Sequence, residues 1–141
     1  MKKAHVSTFG SASLVFTLAL AGLAACHKPL DAPLADIPKL GSLEEVMRAN
    51  ETVAGSKWSL IGKASYSDDE FTQLKDVAAR VDALSERAKA FSKGPEFDAL
   101  AIRLGEKAKA LGAAAEAKDA AAASTALEGM KKTCKDCHAA F

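Results

Sequence analysis

The sequence has little of what a β-rich fold draws on. Aromatic residues make up 6% of the 141 residues and only nine are glycine. Strands favour aromatic and β-branched side chains, so a large β-sandwich is not expected. Prolines number four, and three of them, Pro29, Pro33 and Pro38, fall in one short stretch. Charge of one sign is missing as well. Nineteen basic residues face eighteen acidic ones, a formal net charge of +1, which leaves no field to steer the chain onto nucleic acid. No apolar run reaches the roughly 20 residues of a membrane span. At 49% hydrophobic and 26% charged residues, the composition excludes wholesale disorder and a polytopic membrane protein. The length suits one globular domain with an appendage. Three cysteines is an odd number, so at least one stands outside any intramolecular disulfide.

What is present begins with an address. Residues 1–25 open on Lys2 and Lys3, continue through an apolar run over 14–25 and end in small residues, the layout of an export signal that takes no part in the fold. The ending Leu23-Ala24-Ala25-Cys26 resembles the bacterial lipobox. That resemblance implies cleavage before Cys26, with lipid on its thiol and amine, and stacked acyl chains give a firm membrane anchor. An ordinary signal peptide with a cysteine nearby is the plainer alternative. His27 stands where an aspartate would resemble an inner-membrane retention signal, so sorting to the outer membrane is expected, with the protein facing the periplasm. Loss of Lys2 and Lys3 with the leader takes the formal charge from +1 to −1.

Residues 26–41 are the lipidated N-terminus and its proline-rich continuation. Proline fixes φ and keeps its neighbour out of the helical region, so this stretch reads as an extended tether, or as an arm that packs on the domain. From Ser42 onward every window is helical. Ser42 with Glu45 and Ser67 with Glu70 fit capping boxes. The first helix repeats Leu43, Met47, Asn50, Ala54, Trp58 and Ile61 on one face. The second repeats Phe71, Leu74, Ala78, Val81, Leu84, Ala88 and Phe91. Gly94-Pro95 closes it and opens a third, because proline suits the first helical position. The third carries Phe97, Leu100, Ala101, Leu104, Ala108 and Leu111. Asp119 is the candidate cap of a fourth, striped by Ala123, Leu127, Met130, Cys134, Cys137 and Phe141. Short connections make neighbours antiparallel. Residues 42–141 are therefore expected to form an all-α, up-and-down four-helix bundle, whose many alanines leave room for a large bound group.

The fourth helix contains Cys134-Lys135-Asp136-Cys137-His138, the spacing of c-type haem attachment. Two thiols three residues apart lie on one helical face and can each add to a vinyl group, while the adjacent imidazole reaches the iron. Cys134 and Cys137 are thus the expected thioether links and His138 the proximal iron ligand. A redox dithiol would need a strand-to-helix turn that is absent from the pattern. A zinc site wants about four ligands, and the chain offers few beyond these three and His27. A disulfide between cysteines three apart in a helix would be strained and staple almost nothing.

The CKDCHAAF ending on an exported four-helix chain resembles the class II c-type cytochromes, the cytochrome c′ group, over residues 42–141. Members of that group often continue with a basic residue or two where this chain has Phe141 last. The resemblance implies one covalent haem c, a redox partner protein and, in many members, a homodimer through helix contacts. It also implies a choice on the far side of the iron, which some members fill with a methionine of the first helix and others leave open to a small gas such as nitric oxide or carbon monoxide. Met47 is the candidate distal ligand here. Trp58 is eleven residues on, and at about 100° per residue the two return to within about 20°. Methionine with histidine suits electron transfer, whereas Met47 as plain core filler would leave the gas-binding alternative. Met130 precedes both cysteines on His138's own helix and cannot reach across the iron. Trp58 and Phe141 are expected to pack on the haem or in the core, and Lys131 and Lys132 to lie on a solvated face or near propionates and a partner. No acid–base pair, nucleophile triad or phosphate loop is visible, so an electron carrier and not an enzyme is the expectation. A haem-free structural lipoprotein would require the cysteine motif to be fortuitous.

Overall fold

A computed structural model describes residues 28–141; the leader, Cys26 and His27 lie outside the described residues. Four α-helices follow one another: α1 Leu43–Gly55, α2 Asp68–Lys89, α3 Pro95–Glu116 and α4 Ala120–Ala140. Each packs on its neighbour in sequence, α1 on α2, α2 on α3 and α3 on α4, while α1 barely touches α4. The bundle is therefore up-and-down, as the pattern predicts, and is open between its first and last helices. Among the described residues no helix is long and apolar enough to cross a membrane.

Local chemistry explains the boundaries. Ser67 accepts the Glu70 amide proton at 3.2 Å and Glu70 returns the favour to the Ser67 amide at 2.8 Å, so two orphan donors at the head of α2 are satisfied. At α1 the box slips by one residue: Ser42 accepts from the Glu45 amide, but the Glu45 carboxylate takes the Gly41 amide at 2.6 Å. Pro95 opens α3 after Gly94 at φ +119°, a conformation glycine adopts without strain. Between α3 and α4 the turn is made by Lys118 at φ +52°. The Asp119 amide reaches back to the Ala114 carbonyl at 2.9 Å and Lys118 to Ala115 at 3.3 Å, the double closure of a Schellman cap. Asp119 then caps α4 through the Ala122 amide at 2.9 Å.

Two expectations are corrected. The first helix does not run on to Trp58 and Ile61 but stops at Gly55, where glycine's low propensity lets the chain turn. Trp58–Leu60 form a separate 3₁₀ turn, and the loop beyond is tied to α4 by the Gly62 amide on Ser124 Oγ at 2.7 Å. The proline-rich stretch is also not a free tether. Leu34–Lys39 wind as a 3₁₀ helix against α2, with Ala32 and Ile37 buried. Arg87 Nε donates to the Leu40 carbonyl at 2.9 Å, Asp31 pairs with Arg80, and the Leu30 amide donates to Thr52 at 3.1 Å. Apolar burial and long-range polar contacts outweigh the prolines' preference for extension.

The core runs along the expected stripes of α2 and α3, from Phe71 to Ala88 and from Phe97 to Leu111. On α1 the buried face is Val46, Ala49, Val53 and Ala54. The stripe read from the sequence, Met47-Asn50-Ala54, shares Ala54 with that face but otherwise lies beside it and lines a cavity.

Candidate functional site

The gap between α1 and α4 is a cavity of about 780 Å³, within the range of about 300–1,000 Å³ that cofactor and ligand sites occupy. From α1 it is lined by Met47, Arg48, Asn50 and Ala54, with Trp58 just beyond the helix end. Helices α2 and α3 supply an apolar back wall of Val81, Ala88, Phe97, Leu100, Ala101 and Leu104. Helix α4 supplies Met130, Thr133, Cys134, Cys137 and His138. One cavity thus gathers Cys134, Cys137 and His138 with Met47 and Trp58. Trp58 does not share a helical face with Met47, because α1 ends at Gly55, yet it reaches the same space.

Phe141 does not line the cavity. Its ring, about half exposed, meets Phe97 edge-to-face at 5.6 Å between centroids, and Phe97 is part of the wall. The stripe of α4 explains the arrangement: Ala123, Leu127 and Met130 are buried, whereas Cys134 and Cys137 are only half-buried, because past Met130 the helix faces the cavity instead of another helix. His138 is exposed at its margin.

Burial pushes the Cys134 thiol above the usual thiol range, and the neighbouring Cys137 adds to the shift. Burial raises Cys137 too, against the pull of the Lys93 ammonium. Neither cysteine is in a disulfide. Among the described residues no three His, Cys, Asp or Glu side chains converge as a bare metal ion would require.

Several wall residues were not apparent in the sequence. Met130 is fully buried beside the cysteines; its place on their stripe was visible, its facing a cavity was not. Ser85 and Thr133 are buried polar residues on the wall whose hydroxyls donate to the Asp82 and Gly129 carbonyls. Arg48 lines the cavity with its Nε buried and without a hydrogen-bond partner, while Nη1 lies 3.8 Å from Glu44. A buried cationic N–H left open costs free energy unless an anionic group meets it. No spacing rule singles out an arginine next to a core methionine.

The family model described as Cytochrome C′ matches residues 65–141, more than half of the chain, and the chain belongs to that family. Membership brings a covalently bound haem c, making this a haem c cytochrome. The residues present fit such a group: a large apolar cavity, two thiols and an imidazole on one wall, and the orphaned Arg48 Nε–H to meet a carboxylate. No curated protein matches the chain, and no solved structure does.

Proposed function

We propose that the protein is a mono-haem electron carrier of the periplasm, anchored to the outer membrane by lipid on Cys26. Cys134 and Cys137 would hold the haem covalently, as thioethers. His138 would be the proximal iron ligand and Met47 the distal one. The observation that carries this reading is that Met47 and His138, on different helices, line one cavity that also holds both thiols.

The bound haem supplies a reversible one-electron couple at its iron. The chain supplies everything that tunes it. Val81, Ala88, Leu100, Ala101 and Leu104 keep water from the ring, and low polarity with thioether–imidazole ligation favours a raised potential. Arg48 offers its unpartnered Nε–H to a propionate, and Trp58 closes the α1 end of the cavity. None of these residues forms an acid–base pair or nucleophile aimed at a substrate, so the proposed role is transfer of single electrons between proteins, with no substrate transformed.

Maturation of the exported chain with a cytochrome c assembly system, followed by oxidised and reduced spectra, tests the proposal. A low-spin spectrum indifferent to carbon monoxide is expected. A high-spin spectrum that shifts with carbon monoxide would replace electron transfer by small-gas binding, and a colourless protein would leave a structural lipoprotein.

A further inference from the structure

We propose that the α4 margin of the cavity mouth is a docking surface for a partner redox protein with an acidic face. This rests on the electron-transfer reading above and names the partner's chemistry. Lys131, Lys135 and His138 stand at i, i+4 and i+7, on one face of α4. Lys131 and Lys135 both line the cavity, and neither has an ion-pair partner among the described residues. Of the acids on α4, Asp136 is already engaged: it takes Lys132 at 2.8 Å and lies 4.0 Å from Arg103. Lys93 adds a further cation close enough to act on Cys137. On the α1 side, Glu44 and Glu51 line the cavity together with Arg48, so the unpaired positive side chains of the lining are those of α4.

Phe141, at the end of the same helix, is about half exposed. A partly exposed aromatic on a helix that also carries unpaired lysines suits a protein interface with a polar rim. The chain without its leader carries a formal charge of −1, so the whole molecule does not attract anions. This margin does, and an electron leaving the cavity here meets an acidic partner steered to it.

Small redox reagents of opposite charge test the surface on the haem-loaded protein. The reduced protein is oxidised by ferricyanide, an anion, and separately by tris(phenanthroline)cobalt(III), a cation; each takes one electron from the ferrous iron. Salt is raised from about 0.01 M to about 0.15 M, which shortens the screening length from about 30 Å to about 8 Å. The ferricyanide rate should fall about tenfold, the lower end of electrostatic steering, and the cobalt rate should rise. Lys135→Glu should abolish or reverse the ferricyanide slope. Lys75→Glu changes the net charge equally, on an exposed site of α2 about 15 Å along the helix from Ser85, and should leave the slope in place. Slopes that follow the negative net charge of the loaded protein, to which the haem propionates add, or equal effects of the two variants, would overturn the proposal. A haem that neither reagent oxidises would overturn the electron-transfer reading, and this surface with it.

Discussion

A Cβ on Gly105 of α3 would stand 2.6 Å from Ser85 Oγ of α2 and 3.1 Å from Asp82 Oδ1. The two helices that form the back wall of the cavity are therefore held together by a glycine pressed against a buried serine. Ser85 has little room to yield, since its hydroxyl is committed to the Asp82 carbonyl at 2.7 Å. Gly105→Ala should destabilise the protein by about 1–2 kcal/mol: overpacking costs about 1–3 kcal/mol, and replacing a helical glycine returns up to about 1. Ser85→Ala in the same chain should recover most of the loss. Urea unfolding of both single variants and the double variant measures the coupling; a neutral or stabilising Gly105→Ala would contradict the close approach.

The N-terminal arm is part of the fold. Ile37 is almost completely buried in a 3₁₀ turn on α2. Ile37→Ala should cost about 2–5 kcal/mol, as for other large-to-small core substitutions, seen as a lower urea midpoint at unchanged slope. A cost below about 0.5 kcal/mol, the range of surface changes, would return the stretch to a tether.

How far the sequence discloses the structure depends on the range of the interactions involved. Helices α2 and α4 begin where Ser67 and Asp119 indicate, because a cap is a contact over three residues, and α3 begins where Pro95 fixes φ for a first helical turn. The arm was ambiguous because its order comes from Asp31 on Arg80 and Leu40 on Arg87, partners some fifty positions apart. The same holds within the site. The cysteine–histidine motif is local and readable, and Met47 showed itself by its stripe, although that stripe lines the cavity while Val46, Ala49 and Val53 take the core. Arg48 shows its relevance only as a buried Nε with nothing to bond.

Acid should weaken the start of α2. The Lys63 ammonium, at 2.6 Å, and then the Ser67 amide hold the Glu70 carboxyl below its ordinary value of 4.5. A depressed carboxyl contributes its full stability above the unfolded-state value, and the contribution is lost as pH falls through the lower folded value. Glu70→Gln should therefore melt below the parent protein at pH 7, and the gap should close as pH drops below 4.5. A gap that stays constant or widens toward acid would show that Glu70 is not held in this way.

Each cysteine should carry one covalent link. Cys134→Ala and Cys137→Ala should each keep haem bound after denaturation and shift the reduced α-band, as one vinyl group is left free. The double variant should release all its haem to acidified organic solvent. Haem retained by the double variant would place the attachment elsewhere.

Met47 and His138 are predicted to meet the same iron from different helices. The most direct test is the absorption and magnetic circular dichroism spectra of the haem-loaded protein beside those of Met47→Ala, each with and without carbon monoxide. A low-spin parent that ignores carbon monoxide, and a high-spin Met47→Ala that binds it, is the predicted result. A parent that is already high-spin and binds carbon monoxide, with Met47→Ala unchanged, would contradict the ligand assignment and with it the electron-carrier account.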